Sequence, residues 1–326
     1  MKIKQLGNTD IRVTPIGMGV LTIGPTQLNL SVEEGAHIVR YALERGINFL
    51  DTAEYYRTYP HISRALDELA PSFHQNALPR PVIVSKSLAR DYNGMRRSID
   101  ECRSALGLDQ IDIFLLHEIW EAGDFESRKA AWDCLTDAKA DGSVKAIGFS
   151  THHVDAAAKA VEIQGVDVLF PLINYKGIGI RDGGGKGTKE DMAEAIRAAS
   201  GQGIGVFAMK ALGGGHLAKD YQAALDYVCA LPGMDSVFIG MGREKDVDDA
   251  LAYFEGCLPD GFTPETSNKR MFVDRGDCIG CGACVSRCAS AAIALDETQC
   301  AVIDNSKCVL CGYCGPVCPT RALIFL

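Results

Sequence analysis

The sequence lacks three features, and each absence excludes a large class of proteins. No apolar run approaches the roughly 20 residues that a membrane-spanning helix requires. Residues 1–17 lack the apolar core of a secretory signal peptide. The chain has no excess of positive charge, since 42 acidic and 33 basic residues give a net charge of −9. This acidic balance argues against nucleic acid as the main partner. We therefore expect a cytoplasmic protein with no membrane span and no nucleic-acid partner.

A fourth absence bears on the fold. The G-x-G-x-x-G fingerprint that opens many dinucleotide-binding sheets is missing from the early part of the chain, which weighs against a doubly wound open sheet. What the chain does contain is a series of eight βα units. Strands such as residues 82–85 and 111–116 carry apolar side chains on both faces, as expected of parallel strands covered on both sides. The pattern favours an α/β fold, a (β/α)8 TIM barrel.

The composition changes after the last βα unit. Residues 257–270 are rich in proline, glycine and polar side chains, which is typical of a linker. We therefore predict a barrel domain at 1–256 and a small α+β ferredoxin-like domain at 271–326. Within the barrel region, Ser31 and Glu34 have the spacing of a capping box at the start of a helix.

Eight of the 13 cysteines form two copies of one pattern near the end of the chain. Each copy reads Cys-x-x-Cys-x-x-Cys-x-x-x-Cys, and a proline follows the second. The spacing resembles that of bacterial two-cluster ferredoxins, in which three cysteines of one run hold a cluster and the fourth ligates the other. The resemblance implies two [4Fe–4S] clusters, the first held by Cys278, Cys281, Cys284 and Cys318, and the second by Cys308, Cys311, Cys314 and Cys288.

Two other roles fit these cysteines less well. Zinc needs only four ligands per ion, which leaves regularly spaced thiols unexplained. A disulfide framework is typical of a small secreted chain. The five other cysteines are scattered, and we expect them to be buried as small apolar side chains, with Cys300, between the two runs, the one whose role stays open. The five are Cys102, Cys134, Cys229, Cys257 and Cys300.

Four residues whose side chains can take part in catalysis lie at or just after the ends of consecutive predicted strands. Asp51 ends the second strand, and Tyr56 follows five residues later. Lys86 ends the third strand and His117 the fourth. The carboxyl ends of the strands form the active-site face of barrel enzymes, so the predicted fold brings the four together. Taken singly, each has a structural alternative, namely a helix cap, a solvated charge or a hydrogen-bonded histidine.

This set, in this order and at this strand spacing, resembles the Asp-Tyr-Lys-His tetrad of the aldo-keto reductase superfamily. The resemblance covers residues 1 to about 255. The subgroup with a C-terminal ferredoxin-like domain matches the whole chain. It implies that Tyr56 exchanges a proton with the substrate oxygen while hydride moves to or from the carbon. It also implies that Lys86 lowers the pKa of Tyr56 and that Asp51 pairs with Lys86. His117 is then the residue that orients the carbonyl by hydrogen bonding.

The resemblance further implies a nicotinamide dinucleotide, NADPH or NADH, although its contacts are only partly preserved. Ser150 is retained after the fifth strand, whereas Thr151 stands where the family has asparagine. Asn174 is the nearest amide after the sixth strand, and Lys210 stands near the place of a stacking aromatic residue. Two glycine-rich segments offer backbone amides for phosphate. The predicted contacts are Ser150, Thr151, Asn174, Lys210, Gly213, Gly214, Gly240, Gly242 and Arg243.

Three further features border the predicted site. Tyr55 is expected to point away from it, because the five-residue spacing from Asp51 selects Tyr56. Trp120, just after the fourth strand, is either an apolar wall of the site or a core aromatic residue. The glycine-rich loop 178–189 either covers the site or is a flexible insertion.

Two kinds of electron chemistry meet in this chain. An iron–sulfur cluster passes single electrons, whereas nicotinamide transfers hydride. A flavin ordinarily links the two, and no separate flavin domain is evident. The leading hypothesis is an NAD(P)H-linked reductase of small carbonyls, or dehydrogenase of alcohols, whose clusters exchange electrons with a redox partner protein in an anaerobic cytoplasm. One alternative is a one-electron reductase fed by the clusters without nicotinamide. The other is a non-enzymatic electron carrier with an inert barrel.

Overall fold

Eight parallel strands close into a barrel in the first part of the chain. The computed structural model describes residues 1–25, 27–183, 185–264, 270–288, 291–308, 314–315 and 317–325. Each barrel strand pairs with the next along the chain, and the eighth pairs with the first, so the predicted TIM barrel is confirmed and the open sheet is excluded. The strands are β1 (Ile16–Gly19), β2 (Phe49–Asp51), β3 (Val82–Ser87), β4 (Ile111–Ile119), β5 (Val144–Thr151), β6 (Val168–Pro171), β7 (Gly205–Ala208) and β8 (Ser236–Gly240).

Aromatic rings fill the inside of the barrel. Phe49, Phe170, Phe207 and Phe238 are buried, and neighbouring ring centroids among them lie 4.6 to 5.7 Å apart. Edge-on and tilted contacts of this kind add to the free energy that burial already supplies. The barrel is therefore a packed core whose interior gives rigid support to whatever lies above it.

A short hairpin covers the amino-terminal end of the barrel. Its strands, Lys4–Gln5 and Arg12–Val13, pair antiparallel. The hairpin contributes Leu6, Ile11 and Val13 to the same apolar cluster as the four phenylalanines. The carboxyl ends of the strands are therefore the face on which a site can form.

Helices surround the barrel and bury one face each. At the start of α1, Glu34 N donates to Ser31 Oγ over 3.2 Å and Ser31 N donates to the Glu34 carboxylate over 2.9 Å, so the predicted capping box is confirmed. Helix α2 begins at Tyr59, which is itself buried. No helix of the described residues is long and apolar enough to cross a membrane. The helices are α1 (Val32–Glu44), α2 (Tyr59–His74), α3 (Tyr92–Leu106), α4 (Ala122–Ser127), α5 (Lys129–Ala140), α6 (Val154–Ala158), α7 (Lys189–Gly201), α8 (Tyr221–Cys229) and α9 (Glu244–Phe254).

The C-terminal region is a small α+β unit. Strand β9 pairs with β12 and β10 pairs with β11, all antiparallel. Apolar side chains and cysteines share its core. The linker predicted at 257–270 lies partly outside the described residues, so its bounds stay a prediction. The elements are β9 (Met271–Val273), α10 (Ala283–Arg287), β10 (Ile293–Leu295), β11 (Ala301–Ile303) and β12 (Leu323–Phe325).

This unit sits on the open face of the barrel. His216, in the loop after β7, donates from Nε2 to the carbonyl oxygen of Leu323 over 3.1 Å. Tyr55 packs against Gly276 so closely that a Cβ there would lie 2.3 Å from the Tyr55 oxygen. The two units therefore enclose the space above the strand ends together.

Candidate active site and cluster-binding region

The four residues predicted from the strand ends meet above the aromatic interior. Lys86 is fully buried, and its Nζ lies 2.6 Å from Asp51 Oδ1. The same ammonium donates to the Thr52 carbonyl over 2.8 Å and to Tyr56 Oη over 3.2 Å. Tyr56 reaches this point from a 3₁₀ turn, Glu54–Tyr56, that directly follows β2. The ammonium thus joins the carboxylate to the phenol.

His117 lies on the other side of the phenol. The His117 and Tyr56 rings meet edge to face, with their centroids 5.6 Å apart. His117 Nδ1 is buried and has no hydrogen-bond partner among the described residues. Burial, and then the nearby charge of Lys86, hold the pKa of His117 well below its usual value. The imidazole is therefore neutral, with one N–H to donate.

The phenol is not acidified in the way the resemblance implied. Burial, followed by the negative charge of Asp51, raises the pKa of Tyr56 well above its usual value. Burial also lowers the pKa of Lys86, an effect that the Asp51 carboxylate opposes. Tyr56 is therefore a protonated phenol, and Lys86 is placed to stabilise the phenolate that a proton transfer would leave behind.

A buried arginine that the sequence did not reveal as part of the site holds two of the strand ends together. Arg128 is 1% exposed and donates to the carbonyl oxygen of His117 over 2.8 Å and to that of Ser87 over 3.0 Å. It immediately precedes α5, where a cation is unfavourable for the helix dipole. A cation at this end of a helix was the one sequence signal that Arg128 has a role other than stabilising the helix. Arg128 fixes the backbone on which His117 stands.

Glu118 was also missed. Its backbone is left-handed, with φ of 56°, and its N–H donates to Ser150 Oγ over 2.8 Å. Its carboxylate faces the site 3.6 Å from His152 Nδ1. Burial and the neighbouring Asp277 raise the pKa of Glu118 to about 8, an effect that Lys210 opposes. A carboxyl group that changes charge near neutral pH therefore stands beside the tetrad.

One cavity of about 480 Å³ connects these groups and lies between the two units. All four tetrad residues line it from the barrel side. The C-terminal unit contributes Phe272, Asp274, Gly276 and Asp277 to its wall. A cavity of this volume is in the range that holds small ligands and cofactors. The cluster-binding unit is therefore part of the wall of the candidate active site.

Two expectations about the walls need correction. Tyr55 does not point elsewhere but lines the same cavity as Tyr56, because it bridges to Gly276. Trp120 is 40% exposed and is absent from the cavity wall; its ring instead lies near that of His153, with the centroids 6.1 Å apart. The side chain just past β4 that does line the cavity is Glu118.

The predicted nicotinamide contacts divide into two groups. Those that line the cavity are Ser150, Lys210, Gly214, Gly240, Gly242 and Arg243. Arg243 forms an ion pair with Asp246 over 2.8 Å, and Asp246 also lines the cavity. Gly214 leaves open space beside the backbone, whereas Gly240 and Gly242 pack closely against Thr22 and Leu28. The residues present therefore fit a dinucleotide along this side.

The others are occupied by local structure. Thr151 Oγ1 donates to the Ile119 carbonyl over 2.6 Å and accepts from His153 N, so it stabilises the strand end. Asn174 bonds both the N–H and the carbonyl of Ile178 and closes a turn. Neither Thr151 nor Asn174 lines the cavity, and Gly213 instead offers its carbonyl to the C-terminal unit. These three predicted contacts therefore lie outside the cavity wall.

The first predicted set of cluster ligands comes together around one small cavity. It is lined by Cys278, Cys281, Cys284 and Cys318. Ala301 N donates to Cys278 Sγ over 3.3 Å, and the loop turns at two glycines with positive φ, Gly280 and Gly282. Thiolate donors with backbone N–H bonds are the environment that iron–sulfur clusters require, so these residues fit a [4Fe–4S] cluster.

The second set is described in part. Cys288, Cys308 and Cys314 belong to the same core as the first set, and Ala292 N donates to Cys288 Sγ over 3.2 Å. Cys311 lies outside the described residues. Of the remaining cysteines, Cys300 is buried beside Cys278, and burial raises its pKa. Cys257 is exposed and Cys229 is only partly buried, so the expectation that all five are buried is wrong for these two.

Comparison with known proteins identifies the family. The model of the aldo/keto reductase family matches residues 15–228. The chain belongs to this family. A second model, of a 4Fe-4S dicluster domain, matches residues 277–322. The protein is therefore an aldo/keto reductase-type oxidoreductase with a 4Fe-4S dicluster domain after its barrel.

Relatives in the family include dehydrogenases. L-galactose dehydrogenase of Arabidopsis thaliana is 26% identical over 77% of this chain and 88% of that protein. D-threo-aldose 1-dehydrogenase of a Pseudomonas species is 28% identical over 51% of this chain and 58% of that protein, so the match spans little more than half of it. The holo form of an aldo-keto reductase from Bacillus halodurans has a similar fold, with a TM-score of 0.63, 16% identity, and coverage of 82% of this chain and 93% of that one.

Proposed function

We propose that this aldo/keto reductase interconverts small carbonyl compounds and alcohols at the Asp51, Tyr56, Lys86 and His117 site. The observation that carries the proposal is the contact between Lys86 Nζ and Tyr56 Oη, 3.2 Å long, at the wall of a ligand-sized cavity. A protonated phenol beside a buried ammonium is a proton donor whose product anion has a partner.

Each residue then has a defined task. In the reduction, Tyr56 donates its proton to the carbonyl oxygen, and in the oxidation the phenolate takes it back. Lys86 stabilises the phenolate, and Asp51 keeps the ammonium charged and in place. His117, neutral and within the same cavity, donates a hydrogen bond to the carbonyl oxygen. Arg128 positions His117 through the backbone.

A nicotinamide dinucleotide, NADPH or NADH, would supply or accept the hydride. Family membership and the continuous cavity from the tetrad to Arg243 support this part of the proposal. Ser150, Lys210 and the glycines near β7 and β8 are the residues that would hold it. Arg243, which is paired with Asp246, does not by itself decide between the two forms.

Two [4Fe–4S] clusters would exchange electrons one at a time with a redox partner protein in an anaerobic cytoplasm. A one-electron reductase without nicotinamide is the second candidate. One observation in its favour is that Asp277 lines the cavity. Asp277 is next to the predicted ligand Cys278, so the first cluster would lie close to the cavity. The second candidate is also favoured by the loss of Thr151 and Asn174 as nicotinamide contacts.

The direct test replaces Tyr56 by phenylalanine in the full chain, reconstituted anaerobically. The matched control is Tyr92→Phe, since Tyr92 is exposed and bonds only to Asp137 over 2.9 Å. With a panel of aldehydes, ketones and alcohols, we expect Tyr56→Phe to lower kcat by roughly 10² to 10⁴-fold and the control to leave it unchanged. Full turnover by Tyr56→Phe refutes the assignment.

A second measurement separates the two candidates. NADPH and NADH are each titrated into the anaerobic protein while the visible cluster absorbance and the dinucleotide fluorescence are followed. Saturable binding with carbonyl-dependent oxidation of the dinucleotide supports the first candidate. If neither dinucleotide binds measurably, and the chemically reduced clusters are reoxidised by a carbonyl, the second candidate is correct.

A further inference from the structure

The segment that carries the predicted ligand Cys318 is bound to two barrel loops. Arg181, in the glycine-rich loop after β6, donates from Nη1 to the Pro319 carbonyl over 2.7 Å. Arg321 donates from Nη2 to the Gly213 carbonyl over 2.9 Å, and from Nη1 to the Ile178 carbonyl. The start of the loop, residues 178–181, is therefore bonded to the cluster-binding unit and forms part of the surface on which that unit docks.

Arg321 is the centre of this dock. It is 4% exposed, and Gly179 lies so close that a Cβ there would be 1.6 Å from Arg321 Cδ. Gly179 also has a φ of +85°, which glycine adopts without strain. The barrel loop is thus shaped around the arginine side chain.

The guanidinium lacks the partner that a buried cation needs. Its hydrogen bonds go to neutral carbonyl oxygens, and in the described part of the chain no carboxylate lies within ion-pair distance of it. Burying an unpaired charge costs several kcal/mol. The negative charge of the Cys318 thiolate acts on it and favours its charged form, opposing the effect of burial. The negative charge that acts on Arg321 is therefore that of Cys318, or of the cluster that Cys318 would hold, three residues earlier in the chain.

We propose that Arg321 is a positioning residue that docks the cluster of Cys278, Cys281, Cys284 and Cys318 on the barrel and favours its reduced state. The inference rests on the cluster ligation in the proposed function, but not on its carbonyl chemistry. A reduced cluster carries one more negative charge than the oxidised one, and a buried cation stabilises that added charge more than water-screened cations do. We propose this role of Arg321 for the first cluster and not for the second.

The experiment compares two substitutions of Arg321 with one control in the full chain carrying both clusters. Arg321→Met removes the charge and the hydrogen bonds, whereas Arg321→Lys keeps the charge and loses the forked geometry. The control is Arg275→Gln, because Arg275 is an exposed arginine of the same unit, pairs with Asp296 over 2.7 Å and lies within electrostatic reach of Cys278. Iron and acid-labile sulfide are measured first for each protein.

Anaerobic potentiometric titration, followed by electron paramagnetic resonance, gives the reduction equilibrium of each cluster. In Arg321→Met we expect one cluster to become about tenfold harder to reduce, a shift of ~59 mV for one electron, and the other to change little. Arg321→Lys retains most of the wild-type value, and Arg275→Gln shifts neither cluster by more than about twofold. An unchanged titration of Arg321→Met, equal shifts of both clusters, or an equal shift in Arg275→Gln overturns the electrostatic part.

Amide hydrogen exchange tests the docking. We expect faster exchange at residues 177–183 and 210–217 in both Arg321 variants and no change there in Arg275→Gln. Unchanged exchange in Arg321→Lys and Arg321→Met overturns the positioning role. Should Arg321→Met lose its clusters, Arg321→Gln, which also removes the charge but can still donate a hydrogen bond, replaces it in both measurements. Neither readout uses a carbonyl or a dinucleotide, so a barrel without catalytic activity would not be mistaken for failure of the Arg321 proposal. Wild-type protein that contains no acid-labile sulfide would refute the cluster ligation itself.

Discussion

The two sides of the cavity are built differently. On the tetrad side, Asp51, Lys86 and Tyr56 are joined in one connected set, and each stands on or beside a strand end. On the opposite side, Ser150 and Lys210 line the cavity, whereas neighbouring polar residues are engaged by their own loops. Strand ends are fixed by the closure of the barrel, while loop conformation decides what a loop residue contacts. Substitutions on the two sides should therefore fail in different ways.

The largest effect is expected from breaking the connected set. Lys86→Met leaves Asp51 as a buried carboxylate without its partner, so we expect the free energy of unfolding to fall by about 3–5 kcal/mol and turnover to be lost. Asp51→Asn combined with Lys86→Met should recover much of the stability and none of the activity. Urea unfolding of the anaerobic protein, with turnover measured in parallel, checks both. A single variant as stable as wild type contradicts the prediction.

A smaller loss is expected one step away from the reacting groups. Arg128→Met deprives the carbonyls of His117 and Ser87 of their donor, each at a cost of about 1–3 kcal/mol, and frees the backbone that orients His117. We expect kcat/KM to fall by roughly 10 to 100-fold, with partial recovery in Arg128→Lys. Arg97→Met, on the exposed side of α3, serves as the control and should match wild type.

Glu118, between the two sides, should make stability depend on pH. Its pKa is raised to about 8 in the folded protein, so the protonated form is favoured there. As pH rises from the ordinary carboxyl value to about 8, the unfolded state ionises while the folded state keeps its proton, so the folded protein loses stability, at about 1.4 kcal/mol per unit of pKa difference. Glu118→Gln should therefore gain stability relative to wild type as pH rises from 4.5 to about 8, with no further gain above that, as measured by urea midpoints. Exposed Glu121→Gln is the control, and a pH-independent difference for Glu118→Gln would falsify the prediction.

The smallest effects distinguish two adjacent residues of β5. Ser150→Ala removes a hydroxyl that lines the cavity and also accepts from Glu118 N, so we expect the Kd for the dinucleotide to rise by about 3 to 10-fold and the free energy of unfolding to fall by about 1 kcal/mol. Thr151→Val removes a hydroxyl that bonds only to backbone, so it should lower the free energy of unfolding by about 1 kcal/mol and leave the Kd unchanged. The opposite outcome would show that the loop rearranges when the cofactor binds.

The sequence predicted well what periodicity and topology control. Apolar strands and alternating helices gave the barrel, and the barrel gave the convergence of Asp51, Lys86 and His117 at one end. Cysteine spacing likewise brought the first ligand set to one small cavity, because the spacing is itself a consequence of loop geometry. In each case a repeat in the sequence corresponds to a repeat in the backbone.

The contacts that side chains in loops make could not be predicted from the sequence. Asn174 looked like a cofactor ligand, but a free amide near a turn bonds the nearest backbone groups first. Tyr55 looked as if it pointed away, since its neighbour Gly276 is more than 200 residues distant in the chain. Arg128 and Glu118 owe their roles to burial that arises only when strands β3, β4 and the C-terminal unit assemble. Such roles depend on contacts that one-dimensional patterns do not record.

The phenylalanine interior has a consequence for the ion pair above it. Lys86 Nζ stands 5.5 Å from the centroid of the Phe170 ring, and that ring belongs to an apolar cluster that extends to the hairpin. Such a medium polarises weakly, so it screens the ammonium little on that side. The electric field of Asp51 and Lys86 is therefore felt mainly toward the mouth. The barrel acts as an insulating base that directs the charge of one lysine at whatever molecule enters from above.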